Sequence, residues 1–162
     1  MQDKIDSVCI IDIYGNFIYR RAFTHRAAMD NNAILGSGSN VIVGEDCVCF
    51  KEALNDDLDL FCIMQSSKNV NEIFLHEMLQ IFSEALKKQS KFPLTKEKVL
   101  DILDLVVVLV DDFVYDGYII CDSTEKLSGK LNRREFEGLK GIEVNSSITS
   151  FLPGVGSFFR KK

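Results

Sequence analysis

Histidine is scarce in this 162-residue chain: only His25 and His76 occur, and neither offers the sequence-local partner that general-base catalysis requires. Positive charge is also in deficit. Nineteen Lys and Arg against 24 Asp and Glu leave a net charge of −5, without the basic footprint of a nucleic-acid-binding protein. Long apolar runs are missing, since the longest, Leu105 to Val110, has six residues against the ~18–20 that span a bilayer. The start, "MQDKIDSV", is acidic and does not read as a signal peptide. No CxxC occurs. Cys9, Cys47, Cys49, Cys62 and Cys121 are odd in number and sit in apolar or strand-like contexts, as expected of buried thiols in a reducing compartment. "GSGS" at Gly36 to Ser39 precedes neither Lys-Ser/Thr nor a long helix, so neither a P-loop nor a dinucleotide fingerprint is met. "NDD" at Asn55 to Asp57 is a turn without the remainder of a calcium loop. These absences leave no catalytic residue, cofactor site or metal site to name, and the expectation is a non-enzyme.

What the chain has is patterning. "IDSVCIIDIYGNFIYRRAF" reads as a β-hairpin, with strands over 5–13 and from Phe17 and a turn at "YGN". The segment "THRAAMDNNAILGSGSN" has weak periodicity and reads as a loop with one helical turn. "VIVGEDCVCFKEALNDDLDLFCIMQS" supplies two or three short strands, broken near Gly44 and at "NDD".

From Asn71 the period changes. Phe74, Leu75, Met78, Leu79, Ile81, Phe82, Ala85 and Leu86 share an arc of about 160° at 100° per residue, which predicts an amphipathic helix. Ile73 falls on its polar side. After a break at "KFPLT", Thr95 is a candidate N-cap for a second helix. Its run "LDLVVVLVDDFVYDG" admits strand and helix readings, and phase decides between them. On a helical wheel from Asp101, the residues Glu97, Asp104, Asp111 and Asp112 lie within about 80° of it. Leu100, Ile102, Leu103, Val106, Val107, Leu109, Val110, Phe113 and Val114 lie opposite. Successive residues of a strand point to opposite faces, so Asp111 and Asp112 could not share one. The prediction is a helix with a wide buried face and a wet acidic stripe, ended by Gly117 at C′ and followed by an extended "YIICDS". Val108 lies inside the acidic stripe. Two apolar residues in polar positions, Ile73 and Val108, are therefore the candidate partner-interface residues. The last forty residues are polar and glycine-rich, with a short helical piece expected over Asn132 to Leu139 and a basic-aromatic end "SFFRKK". The order of elements predicts an α+β domain, with two helices packed on an antiparallel sheet of about five strands.

The segments "VCFKEALNDDLDLFCIMQSSKNVNEIFL" and "VLDILDLVVVLVDDFVYDGYIICDS", with the opening hairpin, resemble the zeta subunits of the coatomer (COPI) coat, relatives of the sigma small chains of clathrin adaptors. Asp59-Leu60-Phe61, Asn71-Glu72 and the run from Leu109 through Asp111, Asp112, Val114, Gly117, Ile119 and Ile120 carry the resemblance. It covers roughly residues 5 to 123. It implies a longin-like fold with a five-stranded antiparallel sheet flanked by helices, as a domain over 1–123 with 124–162 as a C-terminal extension. The helix usual between the second and third strands is expected to be shortened or absent. The resemblance further implies a non-catalytic, cofactor-free coat subunit. Its constitutive partner would be the trunk of the large coatomer gamma subunit, with other coatomer subunits around it. Membrane association would come through the complex, in the cytoplasm at Golgi membranes and vesicles, in Golgi-to-ER and intra-Golgi transport. The alternative is a sigma-type chain of a clathrin adaptor or another longin-type trafficking module. Against sigma stand the missing "W-Y" signature after the second strand and "KKQSKFPLT" in place of "YFGNV".

Overall fold

The structure is a computed structural model, and it describes residues 4–26, 28–90 and 93–129. Contact density divides the chain into Met1–Leu131 and Asn132–Lys162. The helical piece expected over Asn132 to Leu139 and the "SFFRKK" end lie outside the described residues.

Strands β1 (Ile5–Asp12), β2 (Phe17–Ala22), β3 (Val41–Val43), β4 (Cys47–Ala53) and β5 (Leu60–Ser67) form one antiparallel sheet in the order β2-β1-β5-β4-β3. Helix α1 (Asn31–Gly36) falls between β2 and β3. Helices α2 (Glu72–Ser90), α3 (Lys96–Asp101) and α4 (Leu103–Phe113) follow the sheet, and a small hairpin pairs β6 (Val114–Tyr115) with β7 (Tyr118–Ile119). This is the expected α+β architecture. The first inter-strand helix is indeed shortened, to six residues.

Every residue of β1 is buried, because β1 is interior to the sheet and covered on both faces. Alternation sends its side chains two ways. Val8 and Ile10, with Val48 and Phe50 of β4 and Cys62 and Met64 of β5, face the main core. There they meet Leu75, Leu79, Phe82 and Leu86 of α2 and Val106, Leu109, Val110 and Phe113 of α4. Phe82 and Phe113 form its aromatic centre, with ring centroids 5.5 Å apart. Cys9 and Ile11, with Cys49 and Ile63, face the other way and form a second, smaller cluster with Ile34 of α1.

Local chemistry sets the ends of these elements. Asn71 Oδ1 accepts from the amides of Ile73 and Phe74 and caps α2, while Lys87 and Lys88 complement the dipole at its other end. Thr95 caps α3 as predicted, accepting from the Lys98 amide at 3.2 Å. The single helix expected after Thr95 is instead two, broken at Ile102, whose φ of −108° and ψ of 24° are not helical. Gly117 is also not the C′ residue of that helix. Val114 caps α4, and Gly117 sits in the two-residue turn between β6 and β7, with φ of 48° at Asp116 and 84° at Gly117. Asp-Gly with two positive φ values is the preferred chemistry of a tight hairpin. A Cβ at Gly117 would stand 2.6 Å from Lys4 Cε and 2.8 Å from the Ile5 carbonyl, so close packing also demands glycine.

Beyond β7, residues 124–129 are helical and Leu127 joins the main core.

Candidate functional site

Among the described residues, the acidic and histidine side chains do not converge on one site. Asp101, Asp104 and Asp111 are exposed along the helices, and Asp111 stands 3.7 Å from Arg21 of β2. Asp112, expected in the same wet stripe, is buried. The exposed stripe of α4 runs through Asp104, Val107 and Asp111, and Asp112, about 100° further round the helix than Asp111, turns inward. Leu100 and Val107, which the sequence wheel assigns to the core, are 50% and 36% exposed. His76 is half-buried, its ring centroid 5.4 Å from that of Phe50 at the seam of α2 and the sheet, and His25 is an exposed loop residue. Among the described residues no group of three or more His, Cys, Asp or Glu could hold a metal ion.

The two interface candidates are placed differently. Ile73 is 70% exposed in the first turn of α2. Val108 is half-buried and packs against the main core. Sequence phase did not mark a second group of exposed apolar residues, Ile13, Tyr14 and Leu58, at the β1–β2 and β4–β5 turns. The signal was available, because apolar residues in polar turns are conspicuous once both turns are known to share one end of the sheet.

That end is held rigidly. Asp12 is buried and accepts from the amides of Tyr14 and Asn16, from Asn16 Nδ2 at 3.1 Å and from Lys96 Nζ at 2.8 Å. Burial alone would raise its pKa. The Lys96 hydrogen bond and those from Asn16 and Tyr14 outweigh it and hold the carboxyl at about 2, below its ordinary 3.8. Ile13 N donates to the Asp59 carbonyl and Asn55 Nδ2 to that of Leu94, so both turns and the approach to α3 are tied together.

The opposite face of the sheet is held by Lys51, which is buried in β4. Its Nζ donates to the carbonyls of Ile34 (2.8 Å) and Ser37 (2.6 Å) at the end of α1. Burial lowers the pKa of this amine. Asp30 caps the other end of α1, Asn31 Nδ2 reaches the Gly15 carbonyl, and Gln65 Oε1 accepts from the Met29 amide. At the exit of β2, Asp6 accepts from Thr24 Oγ1 and pairs with Arg26 Nε, each at 2.8 Å. This surface is built for packing, and nothing in it converges on a reacting atom.

No protein-family model matches the chain. Over 151 residues it is 29% identical to a protein described as coatomer subunit zeta from Encephalitozoon cuniculi (strain GB-M1), covering 91% of this chain and 89% of that one. In structure it is similar to a chain of a homology model of the full-length AP-3 complex in a stretched open conformation. The TM-score is 0.56 at 12% identity, covering 81% of this chain and 93% of the other. The five-stranded antiparallel sheet flanked by helices is consistent with a longin-like architecture. In sequence the chain is similar over nearly its whole length to coatomer zeta. No helix among the described residues is long and apolar enough to cross a membrane.

Proposed function

We propose that this chain is the zeta-type small subunit of a COPI coat, packing without catalysis on the trunk of the large gamma subunit. In this reading it works in the cytoplasm, on Golgi membranes and coated vesicles, in Golgi-to-ER and intra-Golgi transport. Other coatomer subunits surround it there. The observation that carries the proposal is the near end-to-end likeness to a coatomer zeta subunit. The lack of convergent polar groups among the described residues supports a packing role. Residues 1–123 act as the longin-like domain and 124–162 as its extension. Ile73, an exposed apolar residue on an otherwise polar helix face, is the first candidate for the large-chain contact, with Val108 as the second.

The test is mass spectrometry of what co-purifies with the chain at native expression level. A coatomer gamma subunit is the expected principal partner. Recovery of a clathrin-adaptor large chain in its place would make the protein a sigma-type subunit and overturn the COPI assignment. Ile73→Asp should weaken recovery of the large chain while leaving the melting temperature of the isolated subunit unchanged.

A further inference from the structure

Strand β2 forms one edge of the sheet and pairs on one side only, with β1. Its register with β1 slips between Ile10 and Ile11, which face Tyr19 and Phe17 in turn, so Ile18 is the extra residue of a bulge. A bulge re-aims its neighbours. Ile18 and Tyr19 both pack against the main core. Phe17 opposes Ile11 and Arg20 opposes Cys9, and both of those β1 residues belong to the cluster on the α1 face. The bulge thereby brings Phe17 and Arg20 to one face although they are three apart in sequence. The Arg20 guanidinium lies 5.4 Å from the centre of the Phe17 ring.

This arrangement leaves Arg20 unusual among the arginines of β2 and its exit. Arg21 is engaged by Asp111 and Arg26 by Asp6. Arg20 makes no ion pair among the described residues and is held by an aromatic ring on an exposed strand. A guanidinium stacked on a ring keeps its fork of donors free for a carboxylate and has already lost part of its rotamer freedom. Past Ala22 the edge meets a cavity of about 420 Å³ lined by Phe23, Val114 and Tyr115, large enough to seat an apolar side chain. Its two acids, Asp111 and Asp116, already pair with Arg21 and Lys4.

We propose that the β2 edge is a docking site for an extended acidic segment of a partner protein. The segment adds as a sixth strand, with a carboxylate on Arg20 and an apolar side chain in the cavity beyond Ala22. Backbone pairing supplies affinity, and the alternating side chains supply selectivity. The site is separate from the large-chain assignment above and does not depend on it. Arginines on an edge strand also discourage pairing between like copies, which favours an acidic partner over a second copy of this chain.

The test uses the full chain, ¹⁵N-labelled, with three capped peptides of about eight residues, a common strand length. The first alternates valine and glutamate. The second replaces glutamate with lysine, and the third is the first methylated at alternate backbone nitrogens. The glutamate peptide should shift the amides of residues 17–22 saturably and slow their exchange with solvent. Methylation should weaken binding about tenfold or more, because it removes the ladder hydrogen bonds. Arg20→Glu should abolish preference for the glutamate peptide and favour the lysine one. Phe17→Ser should weaken binding less than Arg20→Glu. Both side chains are solvent-facing, and an unchanged melting temperature checks that each variant is folded. Equal binding of the methylated peptide would reduce the effect to surface charge and overturn the proposal. Absence of shifts at millimolar peptide, or concentration-dependent self-association mapped to residues 17–22, would overturn it too.

Discussion

The two faces of the sheet are covered in very different ways. On one side α2 and α4 bring a continuous apolar layer, with Phe82 and Phe113 fully buried at its centre. On the other, a six-residue helix contributes one buried side chain, Ile34, and is fastened by hydrogen bonds from Lys51. One face is held by area and the other by a few directional contacts. Area burial is distributed, at roughly 1.5–3 kcal/mol per large side chain, so it fails cooperatively. A polar anchor fails locally, because it concerns only the groups it joins.

The sharpest way to break this contrast is Phe82→Ala. It should cost about 3–5 kcal/mol, a large share of a typical domain's stability, and lower the urea midpoint for every probe together. Lys51→Met should cost less, about 1–3 kcal/mol, by leaving the buried Ile34 carbonyl and the part-buried Ser37 carbonyl without their donor. Its mark should be local: hydrogen exchange should quicken across 28–37 and stay slow in α2. If both variants melted the whole sheet alike, the two faces would not be energetically distinct. The effect with the narrowest signature concerns Asp12, at the sheet end the two faces share. Its folded pKa lies below the unfolded value, so its contribution is full above about pH 4 and is lost as pH falls toward about 2. Asp12→Asn should therefore flatten the acid limb of a stability–pH curve between those values and leave the limb above pH 5 parallel to that of the parent.

Much of the thick face was legible in the sequence, and little of the thin one. The α2 arc works because one regular helix keeps a single phase over its length: Leu75, Met78, Leu79, Phe82, Ala85 and Leu86 are all buried, and Phe74 and Ile81 flank the core half-buried. The same reasoning fails for Leu100, Val107 and Asp112, because it centres the wet side on the acidic residues, whereas the exposed stripe of α4 runs through Asp104, Val107 and Asp111; nor does any residue type announce the break at Ile102. Gly117 fits the end of a helix in the sequence, but "YDGY" also spells a tight hairpin; local chemistry allows both, and the packing of Lys4 against the turn selects the second. On the thin face, a lysine in the middle of "CVCFKEA" carries no sign that its amine will meet the carbonyl end of a helix in the preceding segment. The bulge that sets Arg20 beside Phe17 is equally silent, because it is a property of the pairing between strands.

The cysteines give this architecture its own pair of clocks. Cys9 and Cys49 sit beneath α1, Cys62 lies under α2, and Cys47 is the one partly open to solvent. Burial holds the Cys9 thiol up at about 12 and raises that of Cys62, so neither reacts until the protein opens around it. A maleimide added to the native chain should mark Cys47 first. The later order of labelling would then report, without any mutation, which side of the sheet breathes and how often.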